Sequence, residues 1–361
     1  MTCRLLLSRS PGETRVALVS NERLIDYEVR RDHAPRRLDG IYLARLRKIT
    51  GDGRLAFADI GGVEVMADLD AKRARAAGWS LTEGALVPVQ IAQEPRRGRL
   101  ARATTRLGLI GPRLVFLPHA VADGVSHRFS DAAEKDAVAT LLPRIERSSG
   151  GFVARRGARG ASLDILQAEA RALMTEWVSC RERFAGARSP GVLLAPPAPG
   201  VGLLRDTVDA IPDEVVSDDR AAAEPLAAFC RTFLADAAAP GWIPVVEMAG
   251  AFDDLEEQID AALSRRVAVP EGGTLTIERT EGMTVIDIDS GAAFEGTSLG
   301  RGAQQLNRRA AYEVASQLRL RAIGGLIAVD LVGSPRGKAG GTVLAAYRDA
   351  FRGDPARAEV D

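Results

Sequence analysis

Asp287, Asp289 and Asp330 are spaced for metal chemistry. Asp287 and Asp289 lie two residues apart, which puts both on one face of an extended strand. Asp330 stands near the end of a second apolar run. Carboxylates at one strand edge suit a hard divalent cation. Mg²⁺ usually takes one or two of them and leaves its other positions to water and phosphate oxygens. A metal held this way activates water and offsets the charge that builds up in phosphodiester cleavage. Strand-end aspartates also cap turns or face water, so spacing alone leaves both readings open.

The elements that must position these residues are legible around them. Residues 284–290 alternate, with Ile286 and Ile288 facing one way and the two aspartates the other. Leu306, Ala310, Val314 and Leu318 then recur at helical spacing, with Ala303, Ala311 and Ala315 beside them. Arg319 and Arg321 fall in the last turn, where cations suit the helix dipole. Gly324 and Gly325 are expected to stop the helix. Residues 326–332 read as a second strand. A strand, a crossover helix and a strand predict a parallel pair. Sites in such sheets gather at the carboxyl ends of the strands, so the three aspartates are expected to converge there.

Ile286-Asp287-Ile288-Asp289-Ser290, then EVASQLRLRAIGG from Glu313 to Gly325, then Ala328-Val329-Asp330-Leu331 form a specific phrase. It resembles the catalytic core of the ribonuclease E/G family of bacterial endoribonucleases. That family carries I-D-[IV]-[ND]-[ST], E-x-A-x-Q-L-R-L-R-x-x-G-G and I-[IV]-D-F in the same order. The resemblance implies that Asp287 and Asp330 are catalytic and hold Mg²⁺. The family commonly has asparagine at the place of Asp289, which is expected to assist as a third ligand.

The whole chain is compatible with this. Its 361 residues allow about two or three compact units. The 48 basic and 48 acidic side chains cancel, so RNA binding has to rest on local basic patches. No apolar run approaches the roughly 18 residues of a membrane span. The N-terminal apolar stretch is too short for a secretory signal, and the cytoplasm is the default location. Cys3, Cys180 and Cys230 are far apart and form no CxxC pair, so no zinc is expected. The longer family members link subunits through such a zinc; an oligomer of that kind is not expected here. His33, His119 and His127 make no zinc-hydrolase pattern, and GxSxG and P-loop motifs are absent.

The resemblance extends along the chain and implies an α/β fold of several subdomains. Residues 1–35 plus 190–266 correspond to a ribonuclease H-like frame. Two inserts interrupt it: an OB-fold RNA-binding domain at 36–110 and a 5′-sensor-like subdomain at 111–189. A DNase-like catalytic subdomain follows at 267–361 and reads as truncated. Within the barrel, Ala56-Phe57-Ala58-Asp59-Ile60-Gly61 matches the module's AFxDIG phrase. Such modules stack bases on aromatics above a basic groove. Phe57 is the candidate platform, with Arg45 and Lys48 as phosphate contacts. A ring in the barrel core is the other reading of Phe57. Arg96, Arg97, Arg99, Arg102 and Arg106 form a dense basic run that faces either RNA or solvent.

In the second insert, Gly124, Val125 and Arg128 stand where the family has a glycine before I-S-R-R. The run from Gly151 to Gly157 resembles L-I-V-R-T-A, which assigns the 5′-phosphate grip to Arg155, with Gly124 beside it. A plain basic turn before the helix at 162–184 is the alternative.

The expected function is a Mg²⁺-dependent endoribonuclease acting on single-stranded RNA. The alternative is an RNA-binding protein of the same family that has lost nuclease activity. Three departures from the family favour it: the catalytic layer reads as truncated, Arg156 replaces a threonine, and Val65-Met66-Ala67-Asp68 replaces a second aromatic phrase.

Overall fold

The computed structural model describes residues 2–96, 98–127, 129, 131–206, 212–234, 245–291, 299–333, 335–352 and 358–361. Their strands form four sheets. The architecture is mixed α/β. Among the described residues no helix is long and apolar enough to cross a membrane.

The first sheet grows from the antiparallel meander Cys3–Ser10, Glu13–Ser20 and Arg23–Arg31. Asn21 and Glu22 have φ of 47° and 63°, the left-handed pair that a tight hairpin needs. Cys3–Ser10 pairs on its other side, in parallel, with Glu214–Ser217, which pairs in parallel with Val245–Glu247. Cys3–Ser10 is thus a central strand, and its Leu5, Leu6 and Leu7 are all buried. Leu5 and Leu7 pack with Leu226 and Cys230 of the helix Arg220–Phe233. Leu6 packs on the opposite face with Phe252, Leu255 and Ile259, the last from the helix Glu256–Leu263.

Five strands close a barrel: Ile41–Ile49, Leu55–Asp59, Glu64–Asp68, Ala101–Thr104 and Leu86–Gln93, the last pairing back to the first. Small inward residues such as Ala44, Ala56, Ala58 and Ala67 let so few strands close around Leu46, Val89 and Ile91. Residues 190 onward are expected with the first sheet. Instead, Gly191–Leu194 pairs with Ile41–Leu43 of the barrel, because its Leu193 buries against Ile41 and Leu43. A third sheet, of Leu109–Ile110, Leu114–Leu117, Gly151–Ala154 and Gly124–Val125, is backed by the helix Leu163–Gly186.

The fourth sheet carries the aspartates. Its order is Arg266–Ala268, Thr274–Arg279, Met283–Asp289, Leu326–Asp330. The last two strands are parallel, joined through the helix Leu299–Leu320. Leu275, Ile286 and Ile288 bury against Leu306, Ala310 and Val314, so one face of the sheet is sealed by the helix. Gly273, at φ +98°, has to be glycine: a Cβ there would lie 2.7 Å from Leu306 Cδ1. The helix Gly337–Ala350 adds Val343 and Tyr347 to this core. A last strand is expected at 356–360; residues 356 and 357 lie outside the described residues, and 358–361 are irregular.

The helix does not stop at Gly324. It ends at Leu320, and Ala322 takes the left-handed conformation at φ +48°. Ile323 N–H donates to Leu318 O (2.8 Å) and Ala322 N–H to Arg319 O (2.9 Å), a Schellman cap. Packing of Ile323 against the core that holds Leu318 decides the end point. Gly325, at φ +95°, serves the entry into the next strand instead.

Candidate active site

Asp287 and Asp330 are direct partners in the parallel register of the two strands. Adjacent strands lie about 4.8 Å apart, so the two carboxylates leave the sheet side by side. Both are exposed, on the face opposite the helix, because Ile286 and Ile288 occupy the sealed face. Neither is ion-paired among the described residues. Asp289 shares that face, but its Oδ1 accepts from the N–H of Gly291 (3.0 Å), capping the turn that follows. Among the described residues no cluster of three or more acidic, His or Cys side chains is close enough to hold a metal. What the sheet presents is a pair. Two adjacent, uncompensated hard oxygen donors fit the one or two protein carboxylates that Mg²⁺ usually takes.

The register extends this pair into a row. Arg266 is opposite Thr276, Thr276 opposite Asp287, and Asp287 opposite Asp330. An exposed guanidinium and a hydroxyl therefore share the open face with the carboxylates. The motif reading missed both. The available signal was the alternation of Arg266 and Ala268 with buried Val267.

Asn307 was also missed. It is fully buried in the helix Leu299–Leu320. Its Nδ2 donates to Val332 O, and its Oδ1 accepts from Val332 N–H, both at 3.0 Å. The amide stands in for a strand partner and fixes the chain two residues beyond Asp330.

On the barrel, Phe57 lies outside the core: it is half-buried between buried Ala56 and Ala58. Lys48 pairs with Phe57, Phe57 with Met66, and Met66 with Arg102. The outer face thus carries an aromatic and a thioether between two exposed cations. Arg45 is less free, since its Nη1 donates to Gly84 O (3.1 Å). Arg47 is paired with Asp59 (2.7 Å). Asp68 shares the outer face with Met66 and reduces the positive field there.

The residues of the 5′-phosphate assignment are engaged within the protein. Arg155 Nη2 meets Asp206 Oδ1 at 2.5 Å, and its Nη1 donates to the carbonyls of Gly111 (2.6 Å) and Arg205 (3.1 Å). Arg205 in turn pairs with Asp39 (2.9 Å). The Arg205 and Arg155 guanidinia hold Asp206 below the ordinary carboxylate range against its burial. The guanidinium of Arg155 is thus a tie between elements and presents no open fork to a phosphate. Gly124 pairs with Val153, and a Cβ there would make only an ordinary 3.7 Å contact. Arg128 and Arg97 lie outside the described residues.

Comparison with known proteins identifies the family. The sequence model of the Ribonuclease E/G family matches residues 108–361. Ribonuclease G of Escherichia coli (strain K12) is 29% identical over 353 residues, covering 92% of this chain and 71% of its own. Ribonuclease G of Haemophilus influenzae is 28% identical over 378 residues, covering 99% of this chain and 76% of its own. Ribonuclease E of Escherichia coli (strain K12) is 28% identical over 378 residues, with 99% of this chain but 35% of its own length covered. With the paired aspartates, the Glu313–Gly325 phrase and this match over most of the sequence, the chain belongs to the ribonuclease E/G family.

Proposed function

We propose that the protein is a Mg²⁺-dependent endoribonuclease that cuts single-stranded RNA at the Asp287–Asp330 pair. The enzyme class follows from the family: the chain is an endoribonuclease, a hydrolase of phosphodiester bonds. The single observation that carries the site is the register of Asp287 against Asp330 on the open face of the sheet. These two side chains would hold the cation, and Asp289 adds negative charge beside them. When bound, Mg²⁺ supplies an acidified water and positive charge against the developing phosphorane. The chain's own residues do the rest. Arg266 and Thr276 lie in the same row and would orient a phosphate beside the pair. Lys48, Phe57, Met66 and Arg102 would hold the strand upstream or downstream of the cut by stacking and by charge. Recognition of a 5′-monophosphate by Arg155 is not part of this reading.

A short, labelled, AU-rich single strand tests it, incubated with the protein and Mg²⁺, with EDTA, and with Asp287→Asn. Cutting is expected only with Mg²⁺ and the native Asp287. Binding without cutting in all three would replace this reading with that of a non-catalytic RNA-binding protein.

A further inference from the structure

A cleft of about 620 Å³ opens where the first sheet meets the fourth. Its walls are the strand Arg23–Arg31, the helix Glu256–Leu263, the strand Thr274–Arg279 and the residues that end the helix Leu299–Leu320. It is not the aspartate face. Ile277 and Arg279 line it, and they alternate with Thr276, which shares the open face with Asp287.

Among the described residues, Arg15, Arg31, Arg265, Arg279 and Arg321 line this cleft against the single carboxylate of Glu13. Three of the five have carboxylate partners. Arg31 pairs with Glu13 (3.0 Å), Arg15 with Glu256 (2.7 Å), and Arg265 with Glu278. Arg279 is exposed and has no ion pair among the described residues. Arg321 is the informative one. Its Nε donates to Gln317 Oε1 (3.0 Å), but its Nη2 is buried with no hydrogen-bond partner. Burial with no carboxylate beside it pushes this guanidinium below its ordinary value. Arg321 thus lines the cleft with no carboxylate paired to it among the described residues, and a charged donor in that position is best completed by an anion. Guanidinium forks match phosphate oxygens well.

The floor is different in kind. Leu24, Ile259, Ile277 and Leu320 line it, with the half-buried ring of Tyr27 beside them. An apolar floor with a few polar groups at one side is the usual make-up of a small-molecule site, and the volume falls within the common range of about 300–1,000 Å³.

We infer that this cleft is a second nucleotide site, separate from the cutting centre, in which Arg279 and Arg321 take a phosphate and the apolar floor takes the nucleoside. The chemistry is that of a nucleoside 5′-phosphate. It has two sources, a free nucleotide or the end of an RNA.

The test is calorimetric titration of the full chain with adenosine 5′-monophosphate in EDTA, so its outcome does not depend on cutting. Saturable binding is expected. Arg279→Glu and Arg321→Gln should each weaken it by about tenfold or more. Arg171→Gln, a surface substitution far from the cleft in sequence, should leave it unchanged. Arg279 is exposed, so its variant keeps the fold if the Arg321 variant does not. Displacement of the nucleotide by a 5′-phosphorylated tetranucleotide assigns the RNA end as the ligand, and failure to displace it assigns the free nucleotide. The inference is overturned if no saturable binding occurs, if neither variant weakens it, or if inorganic phosphate competes as well as the nucleotide.

Discussion

Asp287 and Asp330 are like charges set directly opposite one another, with no cation paired to either among the described residues. Such a cross-strand pair destabilises a sheet by a few tenths of a kcal/mol up to about 1 kcal/mol. The arrangement makes sense if a bound cation relieves it. Asp330→Asn is therefore expected to abolish cutting while raising metal-free stability by up to about 1 kcal/mol. It should also remove the stabilisation that Mg²⁺ gives the native protein. Urea melts with and without Mg²⁺ measure both effects. A variant that still cuts, or that melts earlier than the native protein in EDTA, would remove the pair from the mechanism. Glu169 presents a different residue-scale case. It is 2% exposed and accepts from the N–H groups of Arg113 (2.9 Å) and Leu114 (2.8 Å). Burial pushes its carboxyl from an ordinary 4.5 up to about 7, against the pull of Arg113. The folded state thus binds a proton that the unfolded chain has released between these values. Stability from this group is present below about 4.5 and is lost as pH rises to about 7. Urea midpoints should fall across that window. Glu169→Gln should flatten the slope, and an unchanged slope would contradict the assignment.

At the scale of elements, one strand can serve two surfaces because its side chains alternate. Leu55–Asp59 gives Ala56 and Ala58 to the barrel core and Phe57 to the outside. Phe57→Ala should leave stability nearly unchanged and weaken single-strand RNA binding by roughly 1–3 kcal/mol, the range for one stacked base. Arg102→Gln should lower the salt slope of binding by about 0.7, the value for one phosphate contact on a single strand. Fluorescence anisotropy across a salt series reads both. A large loss of stability in Phe57→Ala would mean that the ring is core after all. The helix Leu299–Leu320 acts in the same double way. Leu306, Ala310 and Val314 seal the sheet, while Asn307 fixes the chain beyond Asp330 through its two 3.0 Å bonds to Val332.

Across the whole molecule, charged pairs tie the sheets together. Arg23 of the first sheet reaches Glu313 of the helix Leu299–Leu320 at 2.6 Å, and Gln317 Nε2 donates to Glu313 Oε1 (2.9 Å). Arg155, Asp206, Arg205 and Asp39 form a second chain of contacts, from the third sheet to the entrance of the barrel. The Arg155–Asp206 pair is partly buried, so its worth is that of hydrogen bonds to a charged group, about 1–3 kcal/mol. Arg155→Gln is therefore expected to lower stability by about 1–3 kcal/mol. It should not change the ratio of cutting between 5′-phosphorylated and 5′-hydroxyl RNA. Loss of that preference in a stably folded variant would restore Arg155 as a phosphate ligand.

The sequence by itself determined the strand–helix–strand unit and its aspartates. Periodicity of two and then of about 3.6 fixes which residues face the core, and Asp287 and Asp330 sit within motifs that read locally. It also carried the family, through the phrase from Glu313 to Gly325. Tertiary structure decided what local pattern does not encode. Pairing register put Arg266 and Thr276 beside Asp287, and Lys48 and Arg102 beside Phe57, because partners in a sheet are distant in sequence. Helix packing ended the crossover helix at Leu320, before the two glycines that looked like its stop. Arg155 lay in a phrase that reads as a phosphate grip, yet its fate was set by Asp206, 51 residues away. A guanidinium goes to whichever acceptors the fold brings within reach, and a motif names only the donor.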